Sequence, residues 1–276
     1  MSSGNVLLMT RLRQIRVVGL MDIRRTLGAR RGFGLIVFAL LPVALAVLRA
    51  MTLPDSLRAD LGRTSTELAN IFYILQLRFI VYFACAFLFV RSFRGEILQR
   101  SLHYLFLAPV RREVLAVGKY FGALGSALAT LLPSTTLLAV IFYLAHGSEL
   151  GLGLLFTSRG LSHLAAYLAA TALACVGYGA LFFLAGLFFR NPMIPAGLYL
   201  GFEVLAPFLP VTLRVLSVAQ HLRAILPVKL SWGPLDMVGS PFGPFVSVLL
   251  LLVVSAAAIA LAAWRADHLE ITYSDG

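Results

Sequence analysis

Two ionisable residues, Arg78 and Glu203, lie inside long apolar runs, where a charge is costly unless it is paired or hydrated. Arg78 is about eight residues, or roughly 12 Å, below the outer end of its run, and Glu203 is about seven residues, or roughly 10 Å, below the outer end of its own. The matched depth suggests a direct salt bridge or a shared water-filled cavity. The alternative is that the Arg78 side chain extends to the outer membrane surface.

A second candidate site is the basic segment 91–119, where two glutamates accompany six basic residues: Arg91, Arg94, Arg100, Arg111, Arg112 and Lys119. Apolar residues recur at helical spacing between Ile97 and Phe106. They predict a short amphipathic helix over 95–107, which Pro109 ends. Such a helix can lie in the lipid headgroup layer or dock on a cytosolic partner.

The sequence lacks the common nucleotide and metal motifs. It contains no G-x-x-x-x-G-K-[ST] loop and no H-E-x-x-H motif, and its five histidines are scattered, without a carboxylate at ligand spacing. Cys85 and Cys175 fall inside apolar runs, which predicts small buried residues rather than a disulfide or metal pair. We therefore expect no catalytic residue in this chain and no metal or cofactor bound to it.

The composition indicates a polytopic membrane protein. Of the 276 residues, 60% are hydrophobic and 13% are charged, whereas soluble domains carry about a quarter charged residues. The net charge is +11, but the basic residues are divided among short loops between apolar runs. Membrane topology explains that distribution better than nucleic-acid binding does, so we expect no nucleic-acid partner.

The predicted fold is all-α, with one transmembrane domain over residues 1–276. A basic amphipathic helix within 1–32 is expected to lie on the inner membrane face. The segment 211–242 contains a further amphipathic helix on the outer face, and Pro42 is expected to kink the first span. Six apolar runs predict membrane spans over 33–52, 70–90, 120–145, 161–189, 193–210 and 244–264.

Six spans place both termini on the same side of the membrane. The N-terminal segment, the segment 91–119 and the residues that follow spans four and six carry about twice as many Lys and Arg residues as the opposite loops. The positive-inside bias therefore predicts cytoplasmic termini. Small residues recur every fourth position in the third span, from Gly118 to Ser134, and we expect this stripe to pack against the fourth span.

The order Glu96, a short helix, Pro109-Val110-Arg111-Arg112 and then Gly118-Lys119 resembles the first cytosolic loop of type-2 ABC transporter permeases. The resemblance extends to the span count and the N-terminal helix. It implies a non-catalytic subunit in the cell (inner) membrane, paired with a second copy or a related chain. A separate cytoplasmic ATPase dimer would hold ATP and Mg²⁺. The residues implied to contact that ATPase are Glu96, Arg100, His103, Tyr104, Arg111 and Arg112.

By the same resemblance, Arg78 and Glu203 would border the translocation path, since spans two and five do so in that family. The cargo would be lipid-like, amphiphilic or hydrophobic, which fits apolar spans with few charges. Three other readings remain open: a secondary carrier or channel without an ATPase, an intramembrane enzyme, and a scaffolding membrane subunit. The lack of an internal repeat weighs against the carrier.

Overall fold

A computed structural model describes residues 3–52, 61–98, 111–145, 148–189, 191, 193–228 and 242–268. Within these ranges the regular structure is helical, without strands, as the apolar periodicity predicts. The α-helices are α1 (Ser3–Gly28), α2 (Arg30–Ala39), α3 (Leu41–Thr52), α4 (Leu61–Ile71), α5 (Tyr82–Leu98), α6 (Arg112–Leu144), α7 (Ser148–Leu155), α8 (Ser158–Phe188), α9 (Met193–Leu205), α10 (Val211–Arg214), α11 (Val218–Arg223) and α12 (Pro244–Asp267).

In the described ranges, five helical stretches are long and apolar enough to cross a bilayer, which requires about 20 residues. They overlap the predicted apolar spans one, two, three, four and six and comprise Gly32–Thr52, Ser65–Ser92, Arg112–Leu144, Ser158–Phe188 and Pro244–Asp267. The predicted span over 193–210 corresponds instead to a shorter apolar stretch, Met193–Phe208, formed by α9 and a 3₁₀ turn. These helices indicate an integral membrane protein.

The first span is broken near its middle, as Pro42 predicts. The helix α2 ends at Ala39, Leu40 adopts the C-cap position, and α3 begins at Leu41. Proline lacks an N–H and its ring crowds the carbonyl four residues earlier, so an unbroken helix cannot pass through it without a bend.

The second span is continuous but not uniformly α-helical. Between α4 and α5, the ten residues Phe72–Val81 form a π-helix, which contains both Gln76 and Arg78. π-Helical turns are rare and often occur at functional sites, because the wider turn presents side chains that α-helical spacing would place elsewhere.

Aromatic side chains fill the centre of the bundle and join the second span, α8 and α9. The Tyr82 ring meets Tyr178 and Phe182 edge-on, with centroids 5.2 Å and 5.0 Å apart. The Tyr82 hydroxyl donates to the carbonyl of Ala196, so the ring is anchored to α9 as well. On the sides of the bundle, large apolar residues such as Val253 (57% exposed) face outward, as expected of lipid-facing helices.

The small-residue stripe of α6 packs partly against a different helix from the one predicted. A Cβ atom at Gly118 would lie 3.0 Å from Val18 Cβ, and one at Gly122 would lie 2.7 Å from Asp22 Cβ, so both glycines face α1. The helices α6 and α8 do pack together, but farther along, where the Thr135 and Thr171 hydroxyls are 3.1 Å apart. The predicted packing of the third span against the fourth is confirmed, but the glycines at the start of the stripe face α1 instead.

Several contacts identify one end of the bundle, here called the loop end, at which the segment 91–119 joins the second and third spans. There Arg112 Nη1 donates to the carbonyl of Asp267 near the end of α12, at 3.3 Å. The Arg265 guanidinium also lies 5.5 Å from the centre of the Phe188 ring, at the end of α8. At the opposite end, Arg49 forms an ion pair with Glu67.

Two predicted amphipathic helices differ from the structure or lie partly beyond it. The helix α5 continues without a break to Leu98, so residues 95–98 belong to the helix of the second span, and residues 99–110 lie outside the described residues. The described part of the segment 211–242 contains two short helices, α10 and α11, rather than one, and residues 229–241 lie outside the described residues.

Candidate functional site

The two ionisable residues predicted inside the membrane, Arg78 and Glu203, are neighbours in the folded chain. Arg78 Nη2 donates to the backbone carbonyl of Glu203 at 2.8 Å. The guanidinium therefore contacts the main chain of α9, and the predicted side-chain salt bridge is replaced by this bond. The Arg78 guanidinium also lies 5.8 Å from the centre of the Tyr73 ring. These contacts hold the half-buried Arg78 side chain against α9 and the second span.

The carboxylate of Glu203 binds the start of α11. The Ser217 hydroxyl donates to Oε2 and the Val218 N–H donates to Oε1, both at 2.8 Å, and the Ala219 N–H is 3.3 Å from each oxygen. The residue is only 2% exposed. The first N–H groups of a helix have no partner within the helix, so an acceptor from outside removes a large desolvation cost.

Ser217 completes this arrangement as the N-cap residue of α11. Its Oγ accepts from the backbone N–H of Gln220 at 3.3 Å while its hydroxyl hydrogen is directed to Glu203. Tyr199, one turn before Glu203 on α9, donates its hydroxyl to the carbonyl of Leu216 at 2.8 Å. The group formed by Arg78, Tyr199, Glu203 and Ser217, here called the central polar cluster, thus joins the π-helix, α9 and α11.

A second polar group, which the sequence analysis missed, is centred on Gln76. Its Nε2 is 3.2 Å from Thr135 Oγ1, and Thr135 Oγ1 is 3.1 Å from Thr171 Oγ1 on α8. Ser134 donates its hydroxyl to the carbonyl of Ala39, at the break in the first span. The signal was present: a glutamine inside an apolar run, with threonines in the third and fourth spans. The sequence analysis considered only charged residues inside the apolar runs, but a neutral side-chain amide also needs hydrogen-bond partners in lipid.

At the loop end, Ser92 and Lys119 tie the second span to the third by reciprocal bonds. Lys119 Nζ donates to the carbonyl of Ser92 at 3.0 Å, and Ser92 Oγ is 3.3 Å from the carbonyl of Lys119. Ser92 Oγ is also 3.5 Å from Asp22 Oδ2 on α1. Lys119 is only 3% exposed, which is unusual for a lysine. We call Asp22, Ser92 and Lys119 the loop-end polar cluster.

The residues predicted to contact an ATPase fall mainly outside what the structure describes. Glu96 lies in the last turns of α5, but its side chain is not among those described, and Arg100, His103 and Tyr104 lie in the undescribed range 99–110. Arg111 is an exposed N-cap residue of α6, and Arg112 contacts Asp267 as described above.

Cys85 and Cys175 are both fully buried and unbridged, which confirms the prediction made for them. Among the described residues, no group of three or more His, Cys, Asp or Glu side chains is arranged to hold a metal ion. The described residues therefore form three polar groups. The central polar cluster joins interrupted helices, the Gln76 group links the second, third and fourth spans, and the loop-end polar cluster joins three helices at the loop end.

Comparison with known proteins adds no family to these observations. No family model matches the chain, and no curated protein sequence matches it. The class that fold and site define is thus a helical membrane protein with polar contacts buried among its spans.

Proposed function

We propose that this chain is the transmembrane permease subunit of an ABC exporter, driven by a separate cytoplasmic ATPase dimer and paired with a second copy or a related chain. The observation that carries the proposal is the loop-end polar cluster. A loop that receives movement from a partner must be joined firmly to the helices it moves. The reciprocal bonds between Ser92 and Lys119 join both ends of the segment 91–119 to each other.

The same cluster extends the connection to the N-terminal helix. Asp22 on α1 lies beside Ser92, and α1 packs closely against α6 through Gly118 and Gly122. Movement of the coupling segment would then displace α1, the second span and the third span together. In this proposal the loop end faces the cytosol, as the positive-inside bias favours, and both termini are cytoplasmic in the inner membrane.

The polypeptide would cross the membrane six times, with its fifth crossing made of broken helices. The end of α8 lies near Arg265 at the loop end, and α12 runs from Pro244 to Asp267 at that same end. The chain between them must therefore travel from the loop end to the opposite end. The described part of this stretch consists of α9, a 3₁₀ turn, α10 and α11. The central polar cluster holds α9 to the start of α11 across the interruption. Interrupted backbone at membrane depth is tolerated only within protein or beside a water-filled cavity.

Transport of a hydrophobic or amphiphilic cargo fits this arrangement, with Arg78 and Glu203 bordering the path. Arg78 and Glu203 both form hydrogen bonds within the protein. Their proposed role is therefore to fix the helices that border the path, rather than to bind a charged cargo. A substitution there would alter transport by moving α9 and α11.

The second candidate is a secondary carrier or channel without an ATPase. One observation favours it: discontinuous helices with buried polar groups are typical of secondary transporters. The membrane-enzyme and scaffold readings have no comparable observation in the described residues.

Co-purification separates the two candidates. The tagged full-length chain is extracted from its native membranes in several mild detergents and examined on a stained gel and by mass spectrometry. We expect an ATPase in a fixed ratio to the chain. An ATPase missing from every mild extract would reject the exporter and favour the carrier.

A second experiment tests the coupling segment directly. Glu96→Arg reverses a charge in that segment, so we expect the ATPase to remain bound but lose its coupling to transport. The matched control is Glu270→Arg, the same charge reversal in the C-terminal tail. If Glu96→Arg hydrolyses ATP and transports cargo as the wild type does, the proposed contact between this segment and the ATPase is rejected.

A further inference from the structure

An apolar cleft of about 380 Å³ opens on the side of the bundle between α2 and α5. Its lining contains no charged residue and consists of Gly34, Leu35, Phe38, Phe83, Ala84 and Phe87. Phe83 and Phe87 are 38% and 39% exposed, so the cleft faces the surroundings of the bundle, whereas Leu35 and Ala84 form its buried floor.

The cleft has the depth of a single membrane leaflet. Phe87 and Phe83 precede Ser92 by five and nine residues, which places them roughly 7.5 Å and 13.5 Å from the loop end at the α-helical rise. Half of a hydrocarbon core about 30 Å thick is ~15 Å. A lipid chain that enters at the loop end would therefore lie along the cleft without crossing the bilayer midplane.

Basic side chains flank the cleft at its loop end. The Arg91 guanidinium lies over the Phe87 ring, 5.1 Å from its centre, and therefore stands at the end of the lining. On the other wall, Arg30 is exposed and one helical turn before Gly34, so it belongs to the same face of α2. This pairing of an apolar cleft with two arginines fits a ligand that has an apolar tail and a negative headgroup.

We propose that this cleft is a binding site for one anionic phospholipid of the leaflet at the loop end. An acyl chain lies between α2 and α5, and the phosphate group approaches Arg91 and Arg30. A second copy of this chain is a poorer occupant, because it would bring the same arginines to the same end and oppose contact by like-charge repulsion. The proposal concerns a resident lipid and does not depend on the ATPase partner proposed above.

The test uses the full-length chain in detergent, titrated with phosphatidylglycerol or phosphatidylcholine of identical acyl chains and followed by native mass spectrometry. We expect one phosphatidylglycerol to bind more tightly than phosphatidylcholine. Arg91→Gln should weaken phosphatidylglycerol binding about fivefold, the factor that one basic residue contributes at an anionic surface, and leave phosphatidylcholine unchanged. Arg16→Gln, which removes an exposed arginine from α1, is the matched control and should change neither.

Gly34→Phe tests the apolar part of the site. A Cβ atom at Gly34 meets nothing within 4 Å, so a larger side chain can occupy the cleft without displacing the backbone. It should weaken the binding of both lipids. Gly201→Phe on α9 also begins in open space, lies away from the cleft and should leave binding unchanged. Size-exclusion profiles and melting temperatures equal to wild type verify that the variants fold.

Three results would overturn the proposal. The first is equal affinity of the wild type for the two lipids. The second is an Arg91→Gln variant whose affinity for phosphatidylglycerol equals that of wild type, or is reduced no more than the affinity of Arg16→Gln. The third is a Gly34→Phe variant that binds lipid normally but loses a dimer, which would make the cleft a subunit contact. If Gly34→Phe does not fold, the comparison of Arg91→Gln with Arg16→Gln still decides the question.

Discussion

Replacement of Glu203 by alanine should destabilise the protein severely. The substitution removes the acceptor for the Ser217 hydroxyl and for the backbone N–H groups of Val218 and Ala219, all in the interior of the bundle. A buried donor left without a partner costs about 1–3 kcal/mol. The Val218 N–H keeps a 3.3 Å contact with the Tyr199 hydroxyl, so the Ser217 hydroxyl and the Ala219 N–H carry most of the loss. We expect the free energy of unfolding to fall by about 3 kcal/mol. The cost stays below the upper end of the range because water in the vacated space can accept bonds from some of the donors.

The assay is thermal unfolding of the purified full-length chain in one detergent. A loss of about 3 kcal/mol lowers the melting temperature by roughly 6–10 °C in a chain of this size. Glu203→Gln retains one acceptor oxygen but brings an amide N–H toward the donors, so its melting temperature should lie between those of wild type and Glu203→Ala. The matched control is Glu67→Gln, which breaks a partly exposed ion pair with Arg49 worth ~1 kcal/mol or less.

A double-mutant cycle isolates the contact between Glu203 and Ser217. Ser217→Ala should destabilise the wild type by about 1 kcal/mol and should cost clearly less in the Glu203→Ala background, where its main partner has gone. The reasoning is refuted if Glu203→Ala melts within about 2 °C of wild type, no farther than the control. It is also refuted if Ser217→Ala costs the same in both backgrounds.

Three further predictions concern other contacts. Lys119→Met keeps most of the length of the unbranched side chain but removes its bond to Ser92, and should lower the melting temperature by about 2–5 °C. Amide exchange at the loop end should also rise, and unchanged exchange would contradict a fastening role for the cluster. Gly122→Leu inserts a side chain where α1 lies against α6, and should expose α1 to limited proteolysis while costing about 1–3 kcal/mol; an unchanged digestion pattern would contradict the packing. Cys85 and Cys175, both buried, should resist maleimide labelling in the folded chain and react only after denaturation, and rapid labelling of either would place it at an accessible surface.

The long apolar runs were sufficient to predict most of the helices, because lipid imposes a length and a composition that the sequence displays directly. The run over 193–210 was harder to interpret. Pro207 and Pro210 near its end coincide with the change to a 3₁₀ turn and short helices, so an apolar composition did not ensure a helix of full length. Pro42, by contrast, was interpreted as a kink in the first span, and the structure interrupts that helix at Leu40, two residues before the proline.

The central polar cluster was only half predictable. The burial of Glu203 and the proximity of the half-buried Arg78 followed from their similar depth in apolar runs. Depth along a helix does not specify which atoms meet. The Ser217-x-x-Gln220 pattern is a capping signal for a helix start at Val218, which the sequence analysis did not use. Sequence spacing does not show that a glutamate fourteen residues earlier returns to the same N–H groups.

The small-residue stripe in the third span illustrates the same limit for packing. Gly118 and Gly122 indicated that some helix approaches closely, and that was correct. The partner was taken to be the nearest span along the chain, whereas α1 occupies that position. An amphipathic helix with glycine at position 19 can meet a glycine surface backbone to backbone, and Gly19 does so, at 3.3 Å between its ideal Cβ position and the carbonyl of Gly118.

The π-helix from Phe72 to Val81 has a consequence for how the second span is mutated and interpreted. Hydrogen bonds that skip five residues put more residues into every turn, so the stretch completes less rotation than an α-helix of equal length. Residues before and after it that share a stripe on an α-helical wheel therefore point in different directions. In a tryptophan or cysteine scan across this span, the periodicity of tolerated positions should shift at the π-helix. A one-residue deletion inside the stretch would rotate Tyr82 and the rest of α5 about the helix axis.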